Sequence, residues 1–166
     1  MATDRPSAVG SPAASAPHGP AGGDSPPRLA ARADVLVVEQ EPGLAQAIAL
    51  YLSAAGVRAR VATDGLAGLH ELQREAPDLV VLDLAAPVVS GFRLLHLLKR
   101  DAATRHVPVL VLSGVTFQEA REAAVGADDF LEKPVGPREV VARARRLLDL
   151  AARTRAARPD RRARTG

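Results

Sequence analysis

Four apolar runs in this chain each stop at a polar side chain that could do chemistry. Val35-Leu36-Val37-Val38 breaks into Glu39-Gln40-Glu41, and Leu79-Val80-Val81-Leu82 ends in Asp83. Val109-Leu110-Val111-Leu112 ends in Ser113, and Phe130-Leu131 is followed by Glu132-Lys133-Pro134. A buried strand does not tolerate a carboxylate at its last position unless that group emerges at the edge of the core. In an open parallel sheet this edge is the carboxyl end of the strands, where ligands bind. A lysine, a hydroxyl and carboxylates on one rim suit a phosphoryl group accompanied by a divalent cation. Mg²⁺ takes one or two carboxylates, waters and phosphate oxygens, while Lys133 and Ser113 would neutralise and hydrogen-bond the phosphoryl oxygens. Taken alone, Ser113 reads better as a loop residue capping a helix. It is the convergence of all four strand ends that favours a site.

The elements needed to gather these groups can be read along the chain. Pro42 opens a helix at a position where its missing N–H costs nothing. Leu44, Ala47, Ile48, Tyr51, Leu52 and Ala55 recur at helical spacing up to Gly56. Residues Val57 to Val61 alternate apolar and basic, as an edge strand with one wetter face would. Leu66, Leu69 and Leu72 mark a second helix ending before Pro77, and Phe92, Leu95 and Leu98 mark the inward face of a third that starts near Ser90. Val107 to Ser113 forms a fourth strand, Phe117 to Val125 a helix closed by Gly126, and Asp128 to Leu131 a short fifth strand. Pro137 opens a last helix whose apolar stripe is Val140, Val141, Ala144, Leu147 and Leu148. Strands alternating with helices imply a parallel sheet covered on both faces by right-handed crossovers. The expected fold is therefore α/β, a doubly wound five-stranded parallel sheet.

Composition bounds what such a domain can be. The chain has 166 residues, no Cys and no Trp, so disulfides and thiolate metal sites are excluded and the core must come from Val, Leu, Ile and Ala. No apolar run approaches the ~20 residues of a membrane span, and the N-terminus lacks the apolar stretch of a secretory signal. A cytoplasmic protein with no membrane association is expected. Residues 1–33, Pro-, Ala- and Gly-rich, hold six of the 13 prolines, and the segment has too little large apolar surface to repay its ordering entropy, which predicts a disordered extension. Residues 34–150 form the domain, with a net charge of −3, and residues 151–166 form an Arg-rich tail of net charge +5. The tail has no aromatic residue to stack on bases and no recognition helix, which argues against nucleic acid and for a solvated segment. His18, His70, His96 and His106 are scattered without ligand spacing and read as surface residues.

Taken together, the stretches Val35–Pro42, Asp78–Leu84 with Pro87 and Gly91, Pro108–Gly114 and Gly126–Pro134 resemble the response-regulator receiver domain (CheY-like) over about residues 34–150. The resemblance implies a flavodoxin-like strand order of 2-1-3-4-5. It makes Asp83 the phospho-acceptor, served by a histidine kinase or phosphotransfer protein, with Ser113 as the hydroxyl and Lys133 as the lysine that meet the phosphoryl group. A cis peptide between Lys133 and Pro134 is implied, and Phe130 falls at the aromatic switch position. Mg²⁺ would be held by Glu39, Gln40, Asp83 and the backbone carbonyl of Ala85. The helix over Phe117–Val125, strand five and the last helix would face a downstream partner, a second copy of the chain included.

Two departures from the family pattern matter. The acidic pair at the end of strand one is Glu39 and Gln40, one side chain a methylene longer than Asp and the other neutral. Mg²⁺ affinity should be poor, because a lost carboxylate beside a divalent ion forfeits on the order of a few kcal/mol. Positions two after the acceptor and two after the hydroxyl, which influence the attacking water in this family, are Ala85 and Val115. Neither can polarise water, so a phosphoryl group on Asp83 should hydrolyse slowly. The expected function is that of a stand-alone two-component response regulator, not an enzyme beyond its own phosphorylation and dephosphorylation. The competing expectation is a degenerate receiver that binds partners without phosphorylation. Flavin binding, the other use of this fold, is disfavoured by the acidic Glu39-Gln40-Glu41-Pro42 loop, which would repel a phosphate.

Overall fold

The computed structural model of the protein describes residues 33–116, 118 and 124–157. Strands β1 (Asp34–Val38), β2 (Arg58–Ala62), β3 (Leu79–Asp83), β4 (Val109–Ser113) and β5 (Asp129–Glu132) pair in parallel in the order β2-β1-β3-β4-β5. Helices α1 (Pro42–Ala54), α2 (Gly65–Arg74), α3 (Gly91–Arg100) and α4 (Pro137–Ala156) cover the sheet. The strand order is the expected one.

Strand side chains alternate between faces, and the two cores follow that period. Leu36, Val38, Val80, Leu82, Val109 and Val111 pack with Leu72 of α2 and Leu94, Leu95 and Leu98 of α3. Val35, Val37, Leu79, Val81, Leu110, Leu112 and Leu131 pack on the other face with α1 and α4. All five residues predicted for the apolar stripe of α4 are buried. Helix starts carry the expected signals: proline in the first turn of α1 and α4, and side-chain caps from Asp64 to the Ala67 N–H (2.7 Å) and from Ser90 to the Arg93 N–H (3.3 Å).

The helix faces differ from the leucine pattern in two places. Leu66 and Phe92, predicted to point inward, are 40% and 36% exposed. The contacting positions on α2 are glycines: a Cβ on Gly68 would stand 2.9 Å from Val38 Cγ2, and one on Gly65 would collide with the Val89 carbonyl. Close backbone approach, rather than leucine packing, sets that end of α2. On α3 the buried face runs through Gly91, Leu94, Leu95 and Leu98. In α1, Ala45 takes an inner position and Tyr51 is half-exposed beside Arg138.

Strand β2 lies at the sheet edge, as its alternation predicted, yet its central Arg60 is buried rather than wet. The expected domain boundary at Leu150 falls inside α4, which continues to Ala156. Arg155 on that extension reaches Asp78 Oδ1 at 2.9 Å, and Asp78 Oδ2 accepts the Asp34 N–H at 3.0 Å. The first residues of the Arg-rich tail are therefore helical and tied to the base of the sheet. The helix expected over Phe117–Val125 falls almost entirely outside the described residues, as do the N-terminal extension up to residue 32 and the tail from residue 158. Among the described residues no helix is long and apolar enough to cross a membrane.

Candidate functional site

Strand register brings the polar ends together. Val38 pairs with Leu82 and Asp83 with Leu112, so Glu39, Asp83 and Ser113 leave three adjacent strands on one rim. Ser113 pairs with Glu132, and its carbonyl accepts the Lys133 N–H at 2.7 Å, which anchors the lysine backbone beside β4. The Lys133–Pro134 peptide is cis.

The Lys133 side chain then crosses the rim. Its Nζ donates to Asp83 Oδ2 at 3.0 Å and to Glu39 Oε1 at 3.0 Å, and lies 2.8 Å from Glu39 Oε2. The last contact is one of charge at a poor hydrogen-bond angle, since Oε2 has no directional donor. Asp83 Oδ1 accepts the Ala85 N–H at 2.9 Å, and Glu39 Oε1 accepts the Glu41 N–H at 3.0 Å. Both carboxylate side chains have zero exposure, and the lysine above them is 22% exposed.

Electrostatics follow from this geometry. Burial pushes Glu39 above its ordinary carboxylate value, an effect that the Lys133 and Glu41 hydrogen bonds only partly offset. For Lys133 burial works downward, but hydrogen bonds and charge from Glu39 and Asp83 outweigh it and hold the ammonium above the ordinary lysine value.

The loop after β3 is tightly fitted. A Cβ on Gly91 would meet the Asp83 carbonyl and the Leu84 Cα, so only glycine lets α3 start against the acceptor strand. The Pro87 carbonyl accepts the Gly65 N–H at 3.0 Å, tying the loop to α2. Between them Val88 has φ +69° and is 78% exposed.

Of the residues predicted from sequence, Asp83, Lys133 and Glu39 are in direct contact. Ser113 is buried at the rim, but its Oγ accepts the Val115 N–H at 3.1 Å instead of reaching the acceptor. Phe130 is half-buried and packs against the α2–α3 core. Ala85 is exposed and serves the site through its backbone. Gln40 is exposed. The second partner of Lys133, Glu39, was missed as an ion-pair residue, because nothing local links positions 94 residues apart.

This arrangement of a flavodoxin-like sheet with Asp83 and Lys133 paired at its rim coincides with a match of residues 35–145 to the response regulator receiver domain. The chain belongs to that family. Receiver domains are signalling modules rather than enzymes, and they interact with histidine kinases and downstream effectors. The chain is 40% identical over 134 residues to the alkaline phosphatase synthesis transcriptional regulatory protein SphR of Synechococcus elongatus, covering 74% of this chain and 51% of that protein. It is 37% identical over 111 residues to the phosphate regulon transcriptional regulatory protein PhoB of Klebsiella pneumoniae, covering 66% and 48%. Among solved structures, the chemotaxis response regulator CheY4 of Vibrio cholerae superposes with a TM-score of 0.65 at 28% identity, covering 70% of this chain and 98% of that one. The chain spans about half the length of the curated relatives it matches.

Receiver domains typically bind Mg²⁺ at the acidic pocket. The residues of this receiver domain do not fit that ion well. Its pocket offers two carboxylates, both already on Lys133 Nζ, and the next candidate ligand, Gln40, is neutral and faces solvent. Among the described residues no three acidic, His or Cys side chains cluster to hold a metal.

Proposed function

We propose that this receiver domain takes a phosphoryl group on Asp83 and signals through the surface around Phe130, β5 and α4. The reading rests on one observation above the others: Asp83 is a buried carboxylate at the end of a central strand, paired at 3.0 Å with Lys133. A histidine kinase or phosphotransfer protein is the donor. One Asp83 oxygen attacks the phosphorus of a phosphohistidine, the P–N bond breaks, and the imidazole leaves with the electron pair and takes up a proton. The Lys133 ammonium and the Ala85 N–H balance the negative charge on the transferred group. The Ser113 hydroxyl, which accepts the Val115 N–H, turns to donate to a phosphoryl oxygen, and Phe130 on the neighbouring strand β5 changes its packing. Downstream partners, including a second copy of the chain, read that surface.

A second reading is a module that binds partners without phosphorylation. It draws on the zero exposure of the Asp83 side chain and on the neutral Gln40.

Incubation with a small-molecule phosphodonor, and separately with a phosphorylated histidine kinase, followed by intact mass measurement, separates the two. The first reading expects a gain of one phosphoryl group that Asp83→Asn abolishes. No gain under either condition would leave the phosphorylation-independent module.

A further inference from the structure

Three of the four carboxylate oxygens in the acceptor pocket accept a hydrogen bond from this chain, and the fourth, Glu39 Oε2, has only a charge contact with Lys133. Glu39 Oε1 takes the Glu41 N–H and Lys133 Nζ, Glu39 Oε2 lies against the same Nζ, Asp83 Oδ1 takes the Ala85 N–H, and Asp83 Oδ2 takes Nζ. A single ammonium thus bridges both acids. It is held there from the backbone by the 2.7 Å bond between the Lys133 N–H and the Ser113 carbonyl.

We propose that Lys133 is the resident cation of this pocket and takes the place a divalent metal holds elsewhere in the family, so that the site is built and kept without Mg²⁺. The proposal rests on the reading of the pocket as the acceptor site.

Three features of the pocket carry it. Charge comes first. Two carboxylates and one ammonium leave one net negative charge, where an acid at position 40 would leave two, so the Coulomb attraction for a dication is halved. Reach comes second. The extra methylene of Glu39, which makes it a poor match to an Asp-shaped metal site, carries both of its oxygens to within 3.0 Å of Nζ. Hydration comes third. Mg²⁺ dehydrates reluctantly and demands octahedral oxygen ligands, whereas the side chains of Glu39 and Asp83 have no exposed surface to admit a hydrated ion.

The test is a Mn²⁺ titration of the full chain, read as paramagnetic broadening of backbone amide resonances, with Mg²⁺ competition and thermal melts alongside. The wild-type chain is expected to show no saturable broadening confined to residues 39–41, 83–86 and 113–115, and no Mg²⁺-dependent rise in melting temperature. Saturable local broadening that Mg²⁺ competes away would overturn the proposal. Gln40→Asp is expected to create such a site, at least about tenfold tighter than wild type, equivalent to about 1.4 kcal/mol. An unchanged titration would overturn the charge argument. Lys133→Met leaves two buried acids without a counter-charge and is expected to recruit the metal and become more heat-stable with Mg²⁺. A folded Lys133→Met chain indifferent to Mg²⁺ would also overturn the assignment; if that variant does not fold, wild type and Gln40→Asp decide. No arm depends on phosphoryl uptake, so failure of the acceptor reading in the mass experiment is seen separately.

Discussion

Arg60 and Asp34 form a buried ion pair at the end of the sheet opposite the acceptor pocket, with an Nε–Oδ1 hydrogen bond at 3.2 Å and a charge contact of Nη2 with Oδ2 at 2.7 Å. The same guanidinium reaches Glu71 Oε2 at 2.9 Å and the carbonyls of Glu71 and Glu75 at 3.1 and 3.0 Å. It therefore staples the start of β1 to the last turn of α2, supplying a donor to the Glu75 carbonyl just past the helix end and a second donor to the Glu71 carbonyl, which already accepts the Glu75 N–H. Removing one partner of a buried pair costs up to about 3–5 kcal/mol; here Asp34 would keep only the Arg58 guanidinium at 4.0 Å, while Glu71 keeps Arg74. Arg60→Ala is expected to lose up to that much in urea denaturation. Arg60→Lys should lose less but still measurably, since an ammonium cannot reach Asp34, Glu71 and the Glu75 carbonyl with the fixed fork of a guanidinium. A loss below about 0.5 kcal/mol for Arg60→Ala, the range of ordinary surface changes, would show that the staple contributes nothing.

Val88 carries the opposite kind of prediction, a gain. A β-branched residue at φ +69° sits in the left-handed region that L side chains disfavour by roughly 1–2 kcal/mol. At 78% exposure its side chain returns little by packing. Val88→Asn, a residue that tolerates this conformation, is expected to raise stability by about 0.5–1 kcal/mol and the melting temperature by about 2–4 °C. An unchanged or lower melting temperature would mean that the valine makes compensating contacts.

These two residues also mark where the sequence stops being legible. Strands β1, β3 and β4 could be read because each is an apolar run of strand length, and their polar ends because a carboxylate or hydroxyl cannot close a buried run without a reason. The parallel sheet followed from the alternation with helices, and its strand order from the resemblance in the motifs alone. The inner faces of α2 and α3 were less legible. Leucine periodicity points to Leu66 and Phe92, while the backbone comes closest at Gly65, Gly68 and Gly91, and glycine leaves no hydrophobic signal. The alternation in β2 suggested water around Arg60, because partners at Asp34 and Glu71 are fixed only by tertiary structure. The role of Arg155 was hidden for the same reason: it looks like part of a solvated basic tail until Asp78, 77 residues away, is brought beneath it. In the pocket, Asp83, Ser113 and Lys133 could be named from their strand ends, but not which acid the lysine bridges.

That bridge makes the domain sensitive to alkali. Glu39 and Asp83 hold the Lys133 ammonium above its ordinary value of 10.5. A lysine with a raised folded-state value contributes stability that is fully present below 10.5 and is lost as pH rises through that higher value. Urea midpoints should therefore be flat in this contribution up to about pH 10 and fall above it. The chain has only two lysines, Lys99 and Lys133, so side-chain NMR can follow each one. The Lys133 Cε resonance is expected to move at a pH above 10.5, and movement below it would contradict the geometry. Asp83→Asn removes one of the two acids and should lower the pH at which Lys133 titrates.

If Asp83 is phosphorylated, the phosphoryl group should be long-lived, because the neighbours of the acceptor cannot activate water. Ala85 offers only a methyl group, and its N–H is already bonded to Asp83 Oδ1. Val115 is 45% exposed and apolar, and its N–H is held by Ser113 Oγ. Hydrolysis then lacks a side chain to orient or deprotonate the attacking water, a contribution worth about 10²–10⁴-fold where a positioned base supplies it. Intact mass recorded over time after removal of the phosphodonor should show slow loss of the group in the wild-type chain. Val115→Glu, which puts a carboxylate at the mouth of the pocket, is expected to shorten that lifetime by at least about tenfold. Decay within seconds in the wild type would mean that another group activates the water. Equal decay in the wild type and Val115→Glu would show that position 115 does not face the leaving phosphoryl group.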